Sequence, residues 1–195
     1  MQERGAYEGP RMTDGFTVWF TGLPCSGKTT LSRLLASRLR SLDYRVEVLD
    51  GDEVRHHLSQ GLGFTRHDRD LNIGRIGYVC QLLSRNGVVA IAAAVSPYRE
   101  AREAVRRQIG RFVEVYVKCP LEVCISRDIK GLYKKALAGE ITQFTGVTDP
   151  YEEPSEPEVI LETDGQSPEE STAALLRRLV HLGYLPREGL LTSCR

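Results

Sequence analysis

Apolar residues recur along this chain in two rhythms. Short apolar or alternating runs at residues 17–20, 45–50, 88–95, 112–118 and 159–164 read as five β-strands. The run at 88–95, VVAIAAAV, is apolar throughout, as a central parallel strand buried on both faces requires. The stretches between follow a helical period. Leu31, Leu34, Leu35, Leu39 and Leu42 form one stripe, ended at Asp43-Tyr44. A second helix starts near Asp68 with Thr65 as its cap, continues through Val79 and Leu83, and stops at Arg85-Asn86-Gly87. Others open at Tyr98-Arg99, at Cys119-Pro120 and in the basic segment 130–140. The basic helix carrying Arg99, Arg102, Arg106 and Arg107 is expected to face solvent for the most part. The last helix has Ser167 as cap and Pro168 at its first position, and packs through Leu175, Leu176 and Leu179. Strand–helix alternation predicts an α/β domain over residues 15–184, with a five-stranded parallel sheet and helices on both faces. Polar residues 1–14 read as a flexible tail, with the stretch before Met12 dispensable, and 185–195 as a C-terminal tail. Residues 141–154 form a long Pro- and Gly-marked loop, the kind of connection that serves as a lid or binding loop.

Composition changes this picture little. The 195 residues are 41% hydrophobic and 27% charged with a formal net charge of +0, which gives no global electrostatic case for nucleic acid or a membrane surface. No apolar run is long enough to span a bilayer and no signal-peptide core is present. The five cysteines, Cys25, Cys80, Cys119, Cys124 and Cys194, are odd in number, scattered and without a C-x-x-C pair. They read as reduced thiols of a cytoplasmic protein. His56, His57, His67 and His181 lack metal-ligand spacing.

The chemistry enters at residues 22–29, GLPCSGKT, which match G-x-x-x-x-G-K-[ST] between a strand and a helix. Gly22 and Gly27 allow the backbone to curl so that its N–H groups, with Leu23, Pro24, Cys25 and Ser26 between them, face a phosphate. Lys28 is the point charge for the outer phosphates, the Thr29 hydroxyl a Mg²⁺ ligand, and Thr30 continues the helix whose positive end faces the anion. This places the chain among P-loop NTPase-type three-layer sandwiches with a nucleoside triphosphate site. A guanine reader would carry N-K-x-D after a later strand, and the sequence has none, so a small-molecule kinase is favoured over a switch.

Further candidates sit at strand ends, where open α/β sheets bind ligands. Asp50 and Asp52 follow the second strand, with Gly51 allowing a sharp turn. A functional pair and a helix N-cap at Asp52 are both consistent with the pattern. Arg69, Asn72 and Arg75 share a helix face that either grips an anion bidentately or forms a solvated salt-bridged surface. Phe64 and Phe144 are large aromatics on connections, suited to a planar second substrate.

Six segments then carry a family resemblance: DGDEVR at 50–55, LGFTRHDRDLN at 62–72, SPYR at 96–99, FVEVYV at 112–117, KGLYKKA at 130–136 and FTGVTDPYE at 144–152. In this order, over residues 15 to about 183, they resemble the adenylylsulfate (APS) kinase family. The resemblance implies transfer of the ATP γ-phosphate to the 3′-hydroxyl of APS, giving PAPS, with Mg²⁺ accompanying ATP. It implies Lys28, Thr29 and Arg127 at ATP, and Asp52 as base or orienting group that also contacts Mg²⁺. Asp50, Arg55, Arg69 and Asn72 fall at APS, with the phosphosulfate end taken by the last three and the adenine stacked between Phe64 and Phe144. Lys130 and Leu132 belong to a lid over 128–154. Ser96 matches a serine associated with a phosphoserine intermediate; a hydroxyl that positions substrate is the alternative. A homodimer and a separate ATP sulfurylase partner are also implied. Other small-metabolite kinases and a non-catalytic nucleotide-binding regulator are the competing readings.

One departure stands out. The family loop usually reads G-L-S-G-A-G-K-[ST]-T, and here Pro24, Cys25 and Ser26 replace S-G-A. Pro24 removes an N–H donor. Cys25 is either a space-filling residue or an oxidisable thiol beside the helix N-terminus.

Overall fold

The computed structural model describes residues 15–186. The expectations for residues 1–14, for Cys194 and for the end of the chain beyond 186 lie outside the described residues. The strands are β1 (Thr17–Thr21), β2 (Val46–Asp50), β3 (Val89–Ala93), β4 (Phe112–Lys118) and β5 (Val159–Glu162). The helices are α1 (Lys28–Arg40), α2 (Gly51–His57), α3 (Arg66–Arg85), α4 (Arg99–Ile109), α5 (Leu121–Arg127), α6 (Leu132–Leu137) and α7 (Pro168–His181). All strand pairs are parallel, in the order β2-β3-β1-β4-β5. The order reverses direction at β1, so the loop leaving β1 sits at the switch point where such sheets bind ligands.

Alternation along β1 divides the core. Val18 and Phe20 join Leu31, Leu35 and Leu39 of α1 and Leu175, Leu176 and Leu179 of α7 on one face. Trp19 points the other way and packs with Ile73 and Ile76 of α3, Val105 of α4 and Phe112. Both helix layers thus follow from the stripes in the sequence. The final helix begins with a capping box, in which the Ser167 hydroxyl accepts from the Glu170 N–H and the Glu170 carboxylate accepts from the Ser167 N–H. Thr65 caps α3 by accepting from the Asp68 N–H at 3.1 Å. Leu185, placed in the tail by sequence, is buried against the α1–α7 face.

Periodicity did not reveal a third cluster. Cys119, Cys124, Tyr133, Ala136 and Phe144 bury one another, and Leu23, Cys25 and Leu132 pack against them. This cluster joins the phosphate loop, α5, α6 and the loop after α6. It gives a long irregular connection a core of its own.

The solvent-facing expectation for α4 fails at Arg102, which is only 2% exposed. Its Nε donates to Glu114 Oε1 at 2.8 Å, Nη1 to the Ser96 carbonyl at 2.6 Å and Nη2 to the Glu152 carbonyl at 2.7 Å. A buried guanidinium persists only when it is paired in this way. Glu114, on inward-facing β4, supplies the opposite charge. The pairing spans α4, β4 and the irregular segment at Glu152.

Candidate active site

The loop between β1 and α1 is built for an anion. Gly22 has φ 150, and a Cβ there would lie 2.4 Å from the Val117 carbonyl oxygen, so only glycine lets β1 pass β4 this closely. Gly27, at φ 105, caps α1 without a side-chain hydrogen bond, and no acidic residue occupies the first turn. The leading N–H groups of α1 therefore have no side-chain cap to compete with a phosphate. Lys28 is buried, and its Nζ donates to the carbonyls of Gly22 (2.9 Å) and Leu23 (2.6 Å). Burial lowers its pKa from 10.5 to about 8. Phosphate oxygens beside Nζ would restore the charged form. At pH 8, ATP binding should therefore take up about half a proton per site. Titration calorimetry in two buffers of different ionisation enthalpy measures this, and equal heats in both would count against it.

The altered residues of the loop are anchored from below. The Tyr133 hydroxyl donates to the Pro24 carbonyl at 3.1 Å, and Leu23 and Cys25 lie on the third cluster. Cys25 adopts φ 60, a left-handed conformation, where the family pattern has glycine. The side chain costs about 1 kcal/mol there. Thr163, just past β5, donates from Oγ1 to the Ser26 carbonyl at 2.8 Å. Arg127 in turn donates to the Thr163 carbonyl at 2.6 Å. Arg127 thus reaches the loop through Thr163, a residue with no motif signal. Thr30 is exposed on the first turn of α1.

Asp50 and Asp52 divide their tasks differently from the sequence reading. Asp50, not Asp52, is the N-cap of α2, with Oδ1 accepting from the Asp52 N–H at 3.0 Å. Its Oδ2 accepts from the Thr29 hydroxyl at 2.8 Å. Thr29 and Asp50 form the hard-oxygen pair beside the loop, so Asp50 takes the place by Thr29 expected of Asp52. The Asp52 carboxylate is exposed and accepts from Lys130 Nζ. That hydrogen bond raises the Lys130 pKa and keeps the amine charged. Gly51 has no left-handed φ. A Cβ there would come within 3.2 Å of the Ala93 carbonyl oxygen, a tight contact that any side chain would have to relieve by a small backbone shift. Lys130 sits on a tight turn in which the Asp128 carboxylate accepts from the N–H groups of Tyr133 (3.1 Å) and Lys134 (3.0 Å).

The expected substrate face is brought together, with two corrections. Arg69 and Asn72 are buried, whereas Arg75 is exposed and donates to the Leu58 carbonyl at 2.7 Å. Arg69 is not free for a bidentate grip. Nε donates to the Phe64 carbonyl (2.8 Å), Nη1 to Thr145 Oγ1 (2.7 Å), and Nη2 to the Gln143 carbonyl (2.7 Å) and Asp149 Oδ2 (3.1 Å). A guanidinium has five N–H groups, so one Nη1 N–H remains. Asn72 is 5% exposed and its Oδ1 is buried without a hydrogen-bond partner. Such an acceptor awaits a donor. Arg55 donates to the Gly63 carbonyl at 3.0 Å and lies 4.4 Å above the Phe64 ring. Burial and the neighbouring Arg69 charge lower its pKa.

The two aromatics are unequal. Phe64 is 52% exposed, while Phe144 is 9% exposed and packs edge-on against Tyr133 with centroids 4.9 Å apart. Phe64 is half exposed with the Arg55 guanidinium over its ring, whereas Phe144 is mainly part of the third cluster. Leu132 likewise packs on that cluster.

Ser96 does not fit a role as phosphate acceptor or substrate contact. It is 2% exposed, accepts from Trp19 Nε1 at 3.1 Å and donates to Thr21 Oγ1 at 3.0 Å. Thr21 in turn donates to the Val95 carbonyl at 2.8 Å and hydrogen-bonds the Tyr151 hydroxyl at 2.9 Å. The hydroxyl of Ser96 is spent on tying β1 to the end of β3, and the residue holds a left-handed φ of 41 there.

The model of the adenylylsulphate kinase family matches residues 14–162. This chain belongs to the adenylylsulphate kinase family. The adenylyl-sulfate kinase of Gloeothece citriformis is 57% identical over 88% of this chain and 97% of its own length. A probable bifunctional SAT/APS kinase of Sorangium cellulosum is 56% identical over 90% of this chain, which spans only 30% of that longer protein. Among solved structures, the Mycobacterium tuberculosis APS kinase in complex with AMPPNP and APS superimposes with a TM-score of 0.81 at 41% identity, covering 85% of this chain and 98% of the other. Family membership accounts for the parallel sheet, the phosphate loop and the segments at both aromatics. No helix among the described residues is long and apolar enough to cross a membrane.

Proposed function

We propose that this chain is an adenylyl-sulfate kinase that transfers the γ-phosphate of ATP to the 3′-hydroxyl of APS, giving PAPS and ADP. The observation that carries the reading is the meeting of the Asp52 carboxylate with Lys130 next to the uncapped phosphate loop. Carboxylate, lid amine and phosphate cradle are the parts that phosphoryl transfer to a hydroxyl needs. The loop N–H groups and Lys28 bind the ATP phosphates. Arg127, through Thr163, keeps the loop in shape. The Phe64 ring, the Arg55 guanidinium, the remaining Arg69 N–H and the unpaired Asn72 Oδ1 receive APS. As the 3′-oxygen bonds to the γ-phosphorus and the bond from that phosphorus to the β,γ-bridging oxygen breaks, Asp52 takes the hydroxyl proton. Lys130 then leaves the carboxylate for the phosphate charge.

Mg²⁺ fits the hard oxygens of Thr29 and Asp50, which suit a cation that keeps most of its waters and binds phosphate. When bound, it neutralises charge on the phosphates. Four free thiols among the described residues, Cys25, Cys80, Cys119 and Cys124, suit a reducing, cytoplasmic setting. A homodimer, and a separate ATP sulfurylase as the source of APS, belong to the same reading.

The test is ADP release from Mg²⁺-ATP with and without APS, with PAPS followed by mass spectrometry. APS-dependent ADP with equimolar PAPS is the expected result. ATP binding without APS-dependent turnover would overturn the proposal in favour of a regulatory nucleotide-binding protein.

A further inference from the structure

Asp149 lies in the irregular stretch after α6, within the segment 144–152, and the sequence reading gave it no role. Its surroundings are nevertheless tightly built. The carbonyl of Phe144 accepts from the N–H groups of Val147 (3.1 Å), Thr148 (3.0 Å) and Asp149 (3.1 Å), and the Gly146 N–H donates back to the Asp149 carbonyl at 2.8 Å. The Phe144 N–H donates to the Thr148 hydroxyl at 2.9 Å. Residues 144–149 therefore form a closed knot with Phe144 at its root. Its attachment to α3 is Arg69. One guanidinium joins the Gln143 carbonyl, Thr145 Oγ1 and Asp149 Oδ2 on the knot to the Phe64 carbonyl just before α3.

We propose that Asp149 is a positioning residue for the acceptor pocket: by fixing the Arg69 guanidinium, it holds the Phe64 and Phe144 segments at a set separation and aims the one remaining Arg69 N–H. This rests on the acceptor reading given above. The carboxylate is the only charged partner of Arg69 among the described residues, with both side chains largely buried. At 3.1 Å it is the longest of the four bonds, but it alone sets a negative charge against the guanidinium, an attraction that the neutral acceptors beside it lack. Without it, Arg69 is a buried cation close to Arg55, whose own charge already feels that of Arg69. The guanidinium would turn away from the knot, and both walls would lose their spacing. The Asp149 carboxylate bonds neither the phosphate loop nor Asp52, so the effect falls mainly on the acceptor side, with the phosphate loop reached only through Phe144 and its packing on Leu23 and Cys25.

The experiment compares steady-state kinetics of Asp149→Asn, Asp149→Glu and Thr145→Val with the parent chain. Asp149→Asn should raise KM for APS about tenfold, with kcat and KM for ATP changed by less than about threefold. Asp149→Glu should recover part of the loss, and Thr145→Val, which removes only the Nη1 partner, should give a smaller rise in the same parameter. If Asp149→Asn does not fold, Thr145→Val carries the same comparison alone. An unchanged KM for APS, or equal changes for both substrates with a lowered melting temperature, would overturn the proposal. A parent chain with no APS-dependent turnover would instead overturn the functional reading itself.

Discussion

Asp52→Asn will lower kcat by about 10²–10⁴-fold while KM for APS stays within about threefold. A sugar hydroxyl is a weak nucleophile near neutral pH, and the amide cannot take its proton. The side chain is exposed and borders the site without forming part of any packed cluster, so its replacement leaves the fold alone. The variant also loses its ion pair with Lys130, which releases that amine. Lys130→Ala separates these effects, because it removes the ion pair while keeping the Asp52 carboxylate. If Asp52→Asn retained near-parent turnover, the base would have to be sought elsewhere, and Asp50, held by both Thr29 and the Asp52 N–H, would be the next residue to replace.

Lys28→Met should be the more severe change, lowering turnover on the order of 10³-fold or more. The lost charge acts on the transferring phosphoryl group from within the phosphate loop, a buried position that neither Lys130 nor Mg²⁺ at Thr29 and Asp50 would fill. The substitution has a second, opposite signature in the ligand-free protein. Burial pushes Lys28 down to about 8 from 10.5, so between those pH values the folded chain binds fewer protons than the unfolded chain. The stability contribution of this group therefore rises with pH across that window and is lowest below it, where the buried amine must carry its charge. Met keeps the volume without the charge, so denaturant unfolding of Lys28→Met should lack this rise between pH 8 and 10.5. A variant with parent-like turnover, or with the same pH slope of stability, would contradict the role given to Lys28.

The phosphate loop was readable from sequence because its function needs backbone geometry that only certain residues allow. Gly22, Gly27, Lys28 and Thr29 act within a few positions of one another. The departures Pro24 and Cys25 were visible as departures, but their support was not. Tyr133 under Pro24 is 109 residues away, and Thr163 on Ser26 is 137 away. The two acids at 50 and 52 were recognised as a pair, but the cap was placed two residues late: Asp50 rather than Asp52 caps α2 and meets Thr29.

What the sequence determined by itself is what depends on neighbours: strands and helices from their apolar period, the caps at Thr65 and Ser167, the parallel order implied by alternation, and the phosphate loop. Tertiary structure alone decided how the polar side chains of distant segments pair. Arg69 reads as an anion grip or a solvated charge until residues 143–149 close on it, Ser96 as a phosphorylated or substrate-positioning hydroxyl until Trp19 and Thr21 occupy it, and Arg102 as surface until Glu114 faces it. Apolar packing is approximately additive in area and so leaves a local trace in the sequence. A buried charge or hydroxyl is defined by its particular partner, and that partner is set only once the chain has folded.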